Sequence, residues 1–152
     1  MDKSNSVFNP IVPSCKVVND EGGVKVDKTY YKQIVGSLMY LIATRPDLMF
    51  VVSIISRYME NLTELHPQVT KSVLRYLKGT TDFGIFYRKG GDGELVAYTD
   101  SDYAGDLEDR KSTSGYVFLL SSGTISWSSK KQPVVSLSTT EAEFIVATSC
   151  AC

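Results

Sequence analysis

Three carboxylates in the second half of the chain have the types and spacing for metal chemistry. Asp100 closes a run of apolar and β-branched residues that predicts a strand, and Glu141 and Glu143 open a predicted helix about forty residues later. Mg²⁺ is commonly held by one or two carboxylates together with substrate phosphates, so acids on two separate elements can form a site where those elements meet. Asp100 and one of the two glutamates are therefore candidate metal ligands.

Helix geometry distinguishes the two glutamates. At about 100° per residue, the apolar side chains of this helix centre roughly opposite Glu141, and Glu143 lies within about 60° of that centre. Those side chains are Ala142, Ile145, Val146 and Cys150. We therefore expect Glu143 to lean towards the neighbouring sheet. Glu141 is expected to face solvent and to cap the helix, because Ser138-Thr139-Thr140-Glu141 has capping-box spacing.

The first half of the chain predicts three short helices. Residues 1–28 contain prolines, glycines and charges without periodicity, which favours a linker or extended arm. One helix face, expected to point inward, is formed by the apolar residues Tyr31, Ile34, Val35, Leu38, Met39 and Ile42. Arg45-Pro46-Asp47 breaks that helix, because the residue before a proline is pushed out of the α region. A second helix follows the break, and a third runs from Pro67 to Lys78.

The second half predicts strands followed by one helix. Four runs rich in β-branched and aromatic residues, separated by glycine-containing turns, indicate strands. They are Phe83 to Arg88, Leu95 to Asp100, Tyr116 to Leu120 and Thr124 to Ser129. The predicted fold class is therefore α+β, with a helical segment at 29–80 and an antiparallel β-meander with one helix at 81–152.

Three motifs in this second half resemble the ribonuclease H domain of copia-type retrotransposon Pol polyproteins. They read YTDSDYAGD, DRKSTSGYVF and ISWSSKKQPVVSLSTTEAEF, in the order and at the spacing of that family. Upstream, YKQIVGSLMYLIATRPDLMFVVSIISRYME and HPQVTKSVLRYLKGT are similar to the segment that connects reverse transcriptase to the nuclease. The resemblance implies a helical connection segment followed by the first half of a ribonuclease H-like fold.

The resemblance also implies the site and its cofactor. The YTDSD and AEF motifs place metal-ligating carboxylates at Asp100 and Glu143, with Mg²⁺ as the cofactor. Such nucleases use two metal ions about 3.5–4 Å apart, and family members supply four carboxylates. Only two match within these 152 residues, so a truncated and catalytically incomplete site is expected. Asp102 and Asp106 are expected to be turn-forming acids.

Basic residues near these motifs are candidate contacts to nucleic-acid phosphates. They are Arg110, Lys111, Lys130 and Lys131 in the second half, and Lys71, Arg75 and Lys78 on the third predicted helix. The alternative for each is a solvated surface charge, and for the adjacent Trp127 it is a place in the core. The expected nucleic-acid partner is an RNA–DNA hybrid or another duplex. Binding should be weak, because the net charge is −1.

Bulk composition narrows the protein class. A hydrophobic content of 43% suffices for a core, and no run of ~18 apolar residues could span a membrane. The three cysteines form no CxxC pair, and no secretory signal is evident, so an intracellular protein with reduced thiols is expected, cytoplasmic or nuclear. His66, the single histidine, is expected at a helix cap or on the surface.

Two functional interpretations remain open at this stage. One is a truncated Pol fragment related to the hybrid-specific ribonuclease, with absent or residual activity. The other is a non-catalytic nucleic-acid-binding or interaction protein co-opted from the element. A gene model that stops before the true end of the protein is a third explanation of the missing ligands. In each case the Leu95–Asp100 strand should present an unpaired edge, which favours self-association.

Overall fold

The computed structural model describes residues 4–12, 17 and 26–152, and it divides the chain into two compact units, Met1–Gly84 and Ile85–Cys152. Much of the predicted arm, including Cys15, lies outside the described residues. The first unit is helical, and the second is an antiparallel sheet with one helix. The α+β class is therefore confirmed.

The first unit contains the three predicted helices. They are α1 (Lys28–Leu41), α2 (Met49–Ser56) and α3 (Leu65–Gly79), with a 3₁₀ turn at Pro46–Leu48 before α2. Helix α3 begins two residues before Pro67, so this proline lies in the first turn, where its missing N–H costs nothing. Asp27 caps α1 by accepting a hydrogen bond from the Thr29 amide at 2.9 Å.

Apolar residues at helical spacing form the core of this unit. The buried members are Tyr31, Val35, Leu38, Leu48, Val51, Val52, Ile55, Leu62, Val69, Val73 and Tyr76. The predicted inward faces of α1 and α2 are confirmed by this set. Met39 was expected on the inward face of α1 and is 48% exposed, so that assignment is wrong. It lies at the margin of a face whose centre is Tyr31, Val35 and Leu38.

His66 is fully buried, so a surface position is wrong for it. Its ring stacks at a tilt against Tyr58 with 4.7 Å between centroids. Its Nδ1 accepts a hydrogen bond from the Thr63 amide at 3.2 Å, just ahead of α3. A hydrogen bond of this kind reduces the cost of burying a polar ring.

The guanidinium of Arg45 is buried between two parts of the first unit. Its Nε and Nη2 donate to the two carboxylate oxygens of Asp47, at 2.9 and 2.7 Å. It also donates to the carbonyl and hydroxyl of Thr80, at 3.0 and 2.8 Å. The Tyr76 hydroxyl donates to Asp47 at 3.0 Å, and the hydrogen bond from Arg45 holds the pKa of Asp47 below its usual value. The residues predicted only to break a helix therefore also join the α1–α2 connection to the end of α3.

The second unit is a three-stranded antiparallel sheet in the order β1-β2-β3. The strands are β1 (Leu95–Ser101), β2 (Thr113–Leu120) and β3 (Gly123–Lys131). All three were predicted, and each extends beyond its predicted bounds. The meander order places β1 at one edge of the sheet and β3 at the other.

The predicted strand at Phe83 to Arg88 is wrong, because this segment has no strand structure. It meets the sheet through a side chain, since the Tyr87 hydroxyl donates to the Thr124 carbonyl at 2.7 Å. The Tyr87 ring lies so close to Gly123 that a Cβ there would meet it at 2.5 Å. The backbone of the segment forms no ladder with β1, β2 or β3, so its aromatic residues gave a misleading strand pattern.

Helix α4 (Thr139–Ala151) follows β3 and packs against β1 and β2. Ser138 is its N-cap and accepts from the Glu141 amide at 3.1 Å. The Glu141 carboxylate in turn accepts from the Leu137 amide at 2.6 Å, so its capping role is confirmed. Ala142 and Val146 form the buried stripe of α4.

A buried glutamine joins α4 to the sheet. Gln132 is 3% exposed and follows the last residue of β3. Its Nε2 lies 3.2 Å from the Ser101 hydroxyl, 2.9 Å from the Ser114 hydroxyl and 3.0 Å from the Ala142 carbonyl. The Ser136 hydroxyl donates to its Oε1 at 2.7 Å. One amide therefore contacts β1, β2, α4 and the loop before α4, and we call these five residues the Gln132 junction.

The Arg45 network generates a stability prediction. We expect Arg45→Ala to lower the free energy of unfolding by about 2 kcal/mol, because it removes a buried guanidinium and leaves the buried Thr80 carbonyl without this donor. Urea denaturation followed by circular dichroism measures the change. Lys32→Ala is the matched control, since its pair with Glu60 is exposed and should contribute much less to stability. Equal losses in the two variants would contradict a structural role for Arg45.

The two edges of the sheet generate a prediction about association. β3 contains Lys130 and Lys131 and pairs with β2 through a register shift, and both features discourage edge-to-edge pairing. β1 has neither feature, and its one charged residue, Asp100, lies near its end. Its apolar side chains Leu95 and Tyr98 are 58% and 60% exposed. We therefore expect the chain to self-associate through β1 as its concentration rises.

Light scattering after size-exclusion chromatography tests this expectation. Ala97→Lys, in the middle of β1, should give a monomer, because a lysine on an edge strand opposes pairing with another chain. Ser126→Lys on β3 is the control and should leave the association unchanged. A wild-type chain that remains monomeric at high concentration would contradict the prediction.

Candidate metal centre

Asp100 lies on β1 opposite Gly115 of β2, one residue before the end of the strand. The next residue, Ser101, contacts the amide of Gln132. Asp100 itself is exposed. The strand therefore presents this carboxylate to solvent, one residue before the Ser101 contact of the Gln132 junction.

Glu143 lies in the first turns of α4, one residue after Ala142, whose carbonyl accepts from Gln132. It is exposed, whereas Glu141 is half-buried, so the expectation that Glu143 leans inward and Glu141 faces solvent is wrong. The buried stripe of α4 is narrower than expected, because Ala142 and Val146 alone are buried among its described side chains. Glu143 follows Ala142 of that stripe along the helix, just as Asp100 precedes Ser101 along β1.

The two candidate ligands differ from the other acids of the motif in having no competing partner. In the described part of the chain, neither the Asp100 nor the Glu143 carboxylate forms a hydrogen bond or an ion pair. Carboxylate oxygens are the hard ligands that Mg²⁺ prefers, so the donor chemistry fits. The described residues hold no cluster of three or more possible metal ligands.

The carboxylates of Asp102 and Asp106 accept hydrogen bonds from backbone amides in and beside the loop between β1 and β2. Asp102 accepts from the Thr113 amide at 2.6 Å, and Asp106 accepts from the amides of Glu108 and Asp109 at 3.0 and 3.3 Å. A side chain at Gly105 would bring its Cβ against the Asp102 carboxylate. Both acids shape the loop, as their turn-like sequence context indicates.

Lys131 is held by carboxylates of this same loop. Its Nζ lies 2.6 Å from Asp106 and 2.9 Å from Asp109, and the Asp106 side chain is 5% exposed. Burial alone lowers the pKa of Lys131, but the hydrogen bonds to Asp106 and Asp109 outweigh it and raise that pKa. Lys111 also lies 3.6 Å from Asp109. These two predicted phosphate contacts therefore have acidic partners within the protein.

Arg110 and Lys130 are the exposed predicted bases of the second unit. In the described residues neither forms an ion pair. Arg110 has φ of +58°, a left-handed conformation that disfavours residues other than glycine, asparagine and aspartate. Its amide donates to the Asp106 carbonyl at 3.1 Å, which fixes the loop there. Trp127, expected in the core, is half-buried on β3 opposite Val117.

Two of the three predicted bases on α3 contact the N-terminal segment. Arg75 donates to the Asn5 carbonyl at 2.6 Å, and Lys78 donates to the Ser4 carbonyl at 3.0 Å. Lys71 is exposed. The basic stripe on α3 therefore helps to hold part of the arm, a role that the sequence did not indicate because the arm has no periodic pattern.

Sequence reasoning missed Gln132 and Arg45. A single polar residue after a strand, or before a proline, has no periodicity that would mark it as buried. A weak signal existed for Gln132, since Ser101, Ser114 and Ser136 are small hydroxyl residues near element ends.

In the described ranges, no helix has the length and apolar character needed to cross a membrane.

Comparisons with known proteins identify the family. The chain is 47% identical over 144 residues to the retrovirus-related Pol polyprotein from transposon RE1 of Arabidopsis thaliana, and 47% identical over 135 residues to that from transposon TNT 1-94 of Nicotiana tabacum. These alignments cover 95% and 88% of the chain but only 10% of each polyprotein. The chain is also 47% identical over 116 residues to secreted RxLR effector protein 161 of Plasmopara viticola, covering 76% of the chain and 82% of that protein.

No family model and no solved structure matches the chain. The high identity over nearly the whole chain nevertheless agrees with the five motifs quoted above. The chain spans about a tenth of the length of the Pol polyproteins that it resembles. It belongs to the family of copia-type retrotransposon Pol polyproteins.

Proposed function

We propose that this chain contributes Asp100 and Glu143 to the Mg²⁺ site of a ribonuclease H that cleaves the RNA strand of an RNA–DNA hybrid. One observation supports this assignment above the others. Asp102, Asp106 and Glu141 are used by the loop and the helix cap, whereas the Asp100 and Glu143 carboxylates have no partner in the described part of the chain. Exposed carboxylates that have no partner among the described residues are suited to bind a cation.

The chain's own residues would have two tasks in this reaction. Asp100 and Glu143 would hold the cation at the margin of the sheet, where their exposure lets a phosphate of the substrate approach. The bound metal would lower the pKa of a water and stabilise the leaving oxygen. Two carboxylates are fewer than a two-metal site of this family uses. We therefore propose that the 152-residue polypeptide alone is catalytically incomplete, and that further ligands come from a longer Pol protein.

Arg110 and Lys130 are proposed to contact the phosphates of the nucleic acid. Both are exposed and lack acidic partners in the described residues, unlike Lys111 and Lys131. The left-handed backbone of Arg110 also supports a role for its side chain, because glycine would occupy this conformation at lower cost. A bidentate guanidinium suits a phosphate.

A second candidate function is that of a non-catalytic interaction protein. The observation that favours it is the relative named a secreted effector, 82% of which aligns with this chain. A segment of this kind therefore forms most of another protein. The two candidates differ in one respect that can be tested: the interaction protein would not depend on Asp100 or Glu143.

The catalytic proposal predicts a dependence on both carboxylates. The 152-residue chain should not cleave a labelled RNA–DNA duplex in Mg²⁺ at an appreciable rate. A longer Pol protein that contains it should cleave, and Asp100→Asn or Glu143→Gln should each reduce that rate by about a hundredfold or more, because transition-state charge loses its stabilisation.

Asp102→Asn is the matched control. Its amide oxygen can still accept from the Thr113 amide, so the loop and the cleavage rate should both persist. Cleavage by the longer protein that survives Asp100→Asn and Glu143→Gln would contradict the proposed site. Loss of cleavage in Asp102→Asn as well would show that the assay reports loop structure.

The nucleic-acid proposal predicts a salt dependence. If Arg110 and Lys130 neutralise two phosphates, the logarithm of the association constant should fall with the logarithm of salt at a slope of about −2. Arg110→Glu and Lys130→Glu should each weaken binding and flatten that slope by about one. Fluorescence anisotropy of a labelled duplex at several salt concentrations measures both quantities.

Lys89→Glu is the control for the charge change. Lys89 is exposed and follows Tyr87, which contacts the beginning of β3, whereas Lys130 lies near its end. The substitution alters net charge equally but should leave the slope unchanged. Equal weakening by all three variants would indicate a general charge effect rather than the proposed contacts.

A further inference from the structure

We infer that Gln132 is a positioning residue. It fixes helix α4, which carries Glu143, against strand β1, which carries Asp100. This inference rests on the proposed function, since the two carboxylates matter together only if they share a cation. Gln132 touches neither carboxylate. It acts through Ser101, which follows Asp100, and through Ala142, which precedes Glu143.

The contacts of Gln132 are suited to this role. Its Nε2 reaches the hydroxyls of Ser101 and Ser114 and the carbonyl of Ala142, all within 3.2 Å. Ser101 and Ser114 are paired across β1 and β2, so the amide spans both strands at one level. The Ala142 carbonyl belongs to the backbone of α4. A shift of α4 along the sheet would therefore break a buried hydrogen bond, which is costly when no water replaces it.

The amide is itself fixed from both sides. Its Oε1 accepts from the buried Ser136 at 2.7 Å, which orients the Nε2 donors towards the strands and the helix. Its backbone amide donates to the Ser112 carbonyl at 2.8 Å. The preceding residue, Lys131, is ion-paired with Asp106 and Asp109. Gln132 is therefore held firmly enough to transmit the position of the sheet to α4.

No other side chain of similar length would perform this task. A glutamate at 132 would place a negative oxygen against the Ala142 carbonyl, and a methionine would fill the space without donating. Residues that hydrogen-bond a metal ligand directly typically change metal affinity by about 10–100-fold when removed, and Gln132 acts one residue away from each ligand, so we expect an effect at the lower end of that range. We therefore expect the loss of the Gln132 donors to weaken cation binding while Asp100 and Glu143 remain in place.

The experiment titrates the ¹⁵N-labelled 152-residue chain with Mn²⁺ and follows paramagnetic broadening of the Ser101 and Glu143 amide signals by NMR. In the wild type both signals should broaden together. In Gln132→Met the apparent Kd should rise at least about tenfold, and the two signals should no longer broaden in parallel. Ser136→Ala, which keeps the donors but releases their orientation, should raise the Kd by a smaller factor and provides a second test if Gln132→Met does not fold.

Val146→Ala separates positioning from stability. It removes a buried side chain of α4 outside the Gln132 junction, so it should lower the melting temperature and leave the Kd unchanged. Wild-type affinity in both Gln132→Met and Ser136→Ala would overturn the inference, as would an equal loss in Val146→Ala. Broadening that persists in Asp100→Asn and Glu143→Gln would instead overturn the proposed ligands.

Discussion

The second unit depends on the buried amide of Gln132, because this amide joins the backbone of α4 to both β1 and β2. In the described structure, only Ala142 and Val146 of this helix are fully buried. Burial of these two small apolar side chains stabilises the packing of α4 by a few kcal/mol. It does not determine the position of the helix along the strands. Hydrogen bonds to Ser101, Ser114 and the Ala142 carbonyl do have direction. Apolar contact holds α4 against the strands, and the amide determines where along them it lies.

The charged residues around this junction fall into two groups. Asp106 and Asp109 pair with Lys131, Asp109 also pairs with Lys111, and these contacts fold the loop between β1 and β2. Asp100 and Glu143 are left without partners in the part of the chain that is described. This division explains why a motif so rich in acids offers so few potential ligands. Most of its carboxylates accept hydrogen bonds within the loop or at the helix cap.

The sequence predicted the elements well and the buried polar contacts poorly. The helices and strands follow from periodicity, which survives because each element buries one face. Phe83 to Arg88 failed because aromatic residues can pack singly, as Tyr87 does on Gly123, without a strand partner. Glu143 failed on burial because the width of a helix's buried stripe depends on what packs beside it. The assignment of Asp100 and Glu143 as a pair came from the types and spacing of the carboxylates, and the motif resemblance agreed with it.

The two units share one design, in which a long polar side chain from a connection is buried between elements. Arg45 joins the α1–α2 connection to Thr80 at the end of α3, as Gln132 joins β3 to α4. Such residues break no pattern, so sequence periodicity does not reveal them, yet their loss would leave buried groups unsatisfied. Asp100 and Glu143 are the opposite case, since their carboxylates form no hydrogen bond or ion pair within the described residues. Stability and the proposed chemistry therefore reside on different side chains, which allows the site to be altered while the fold is kept.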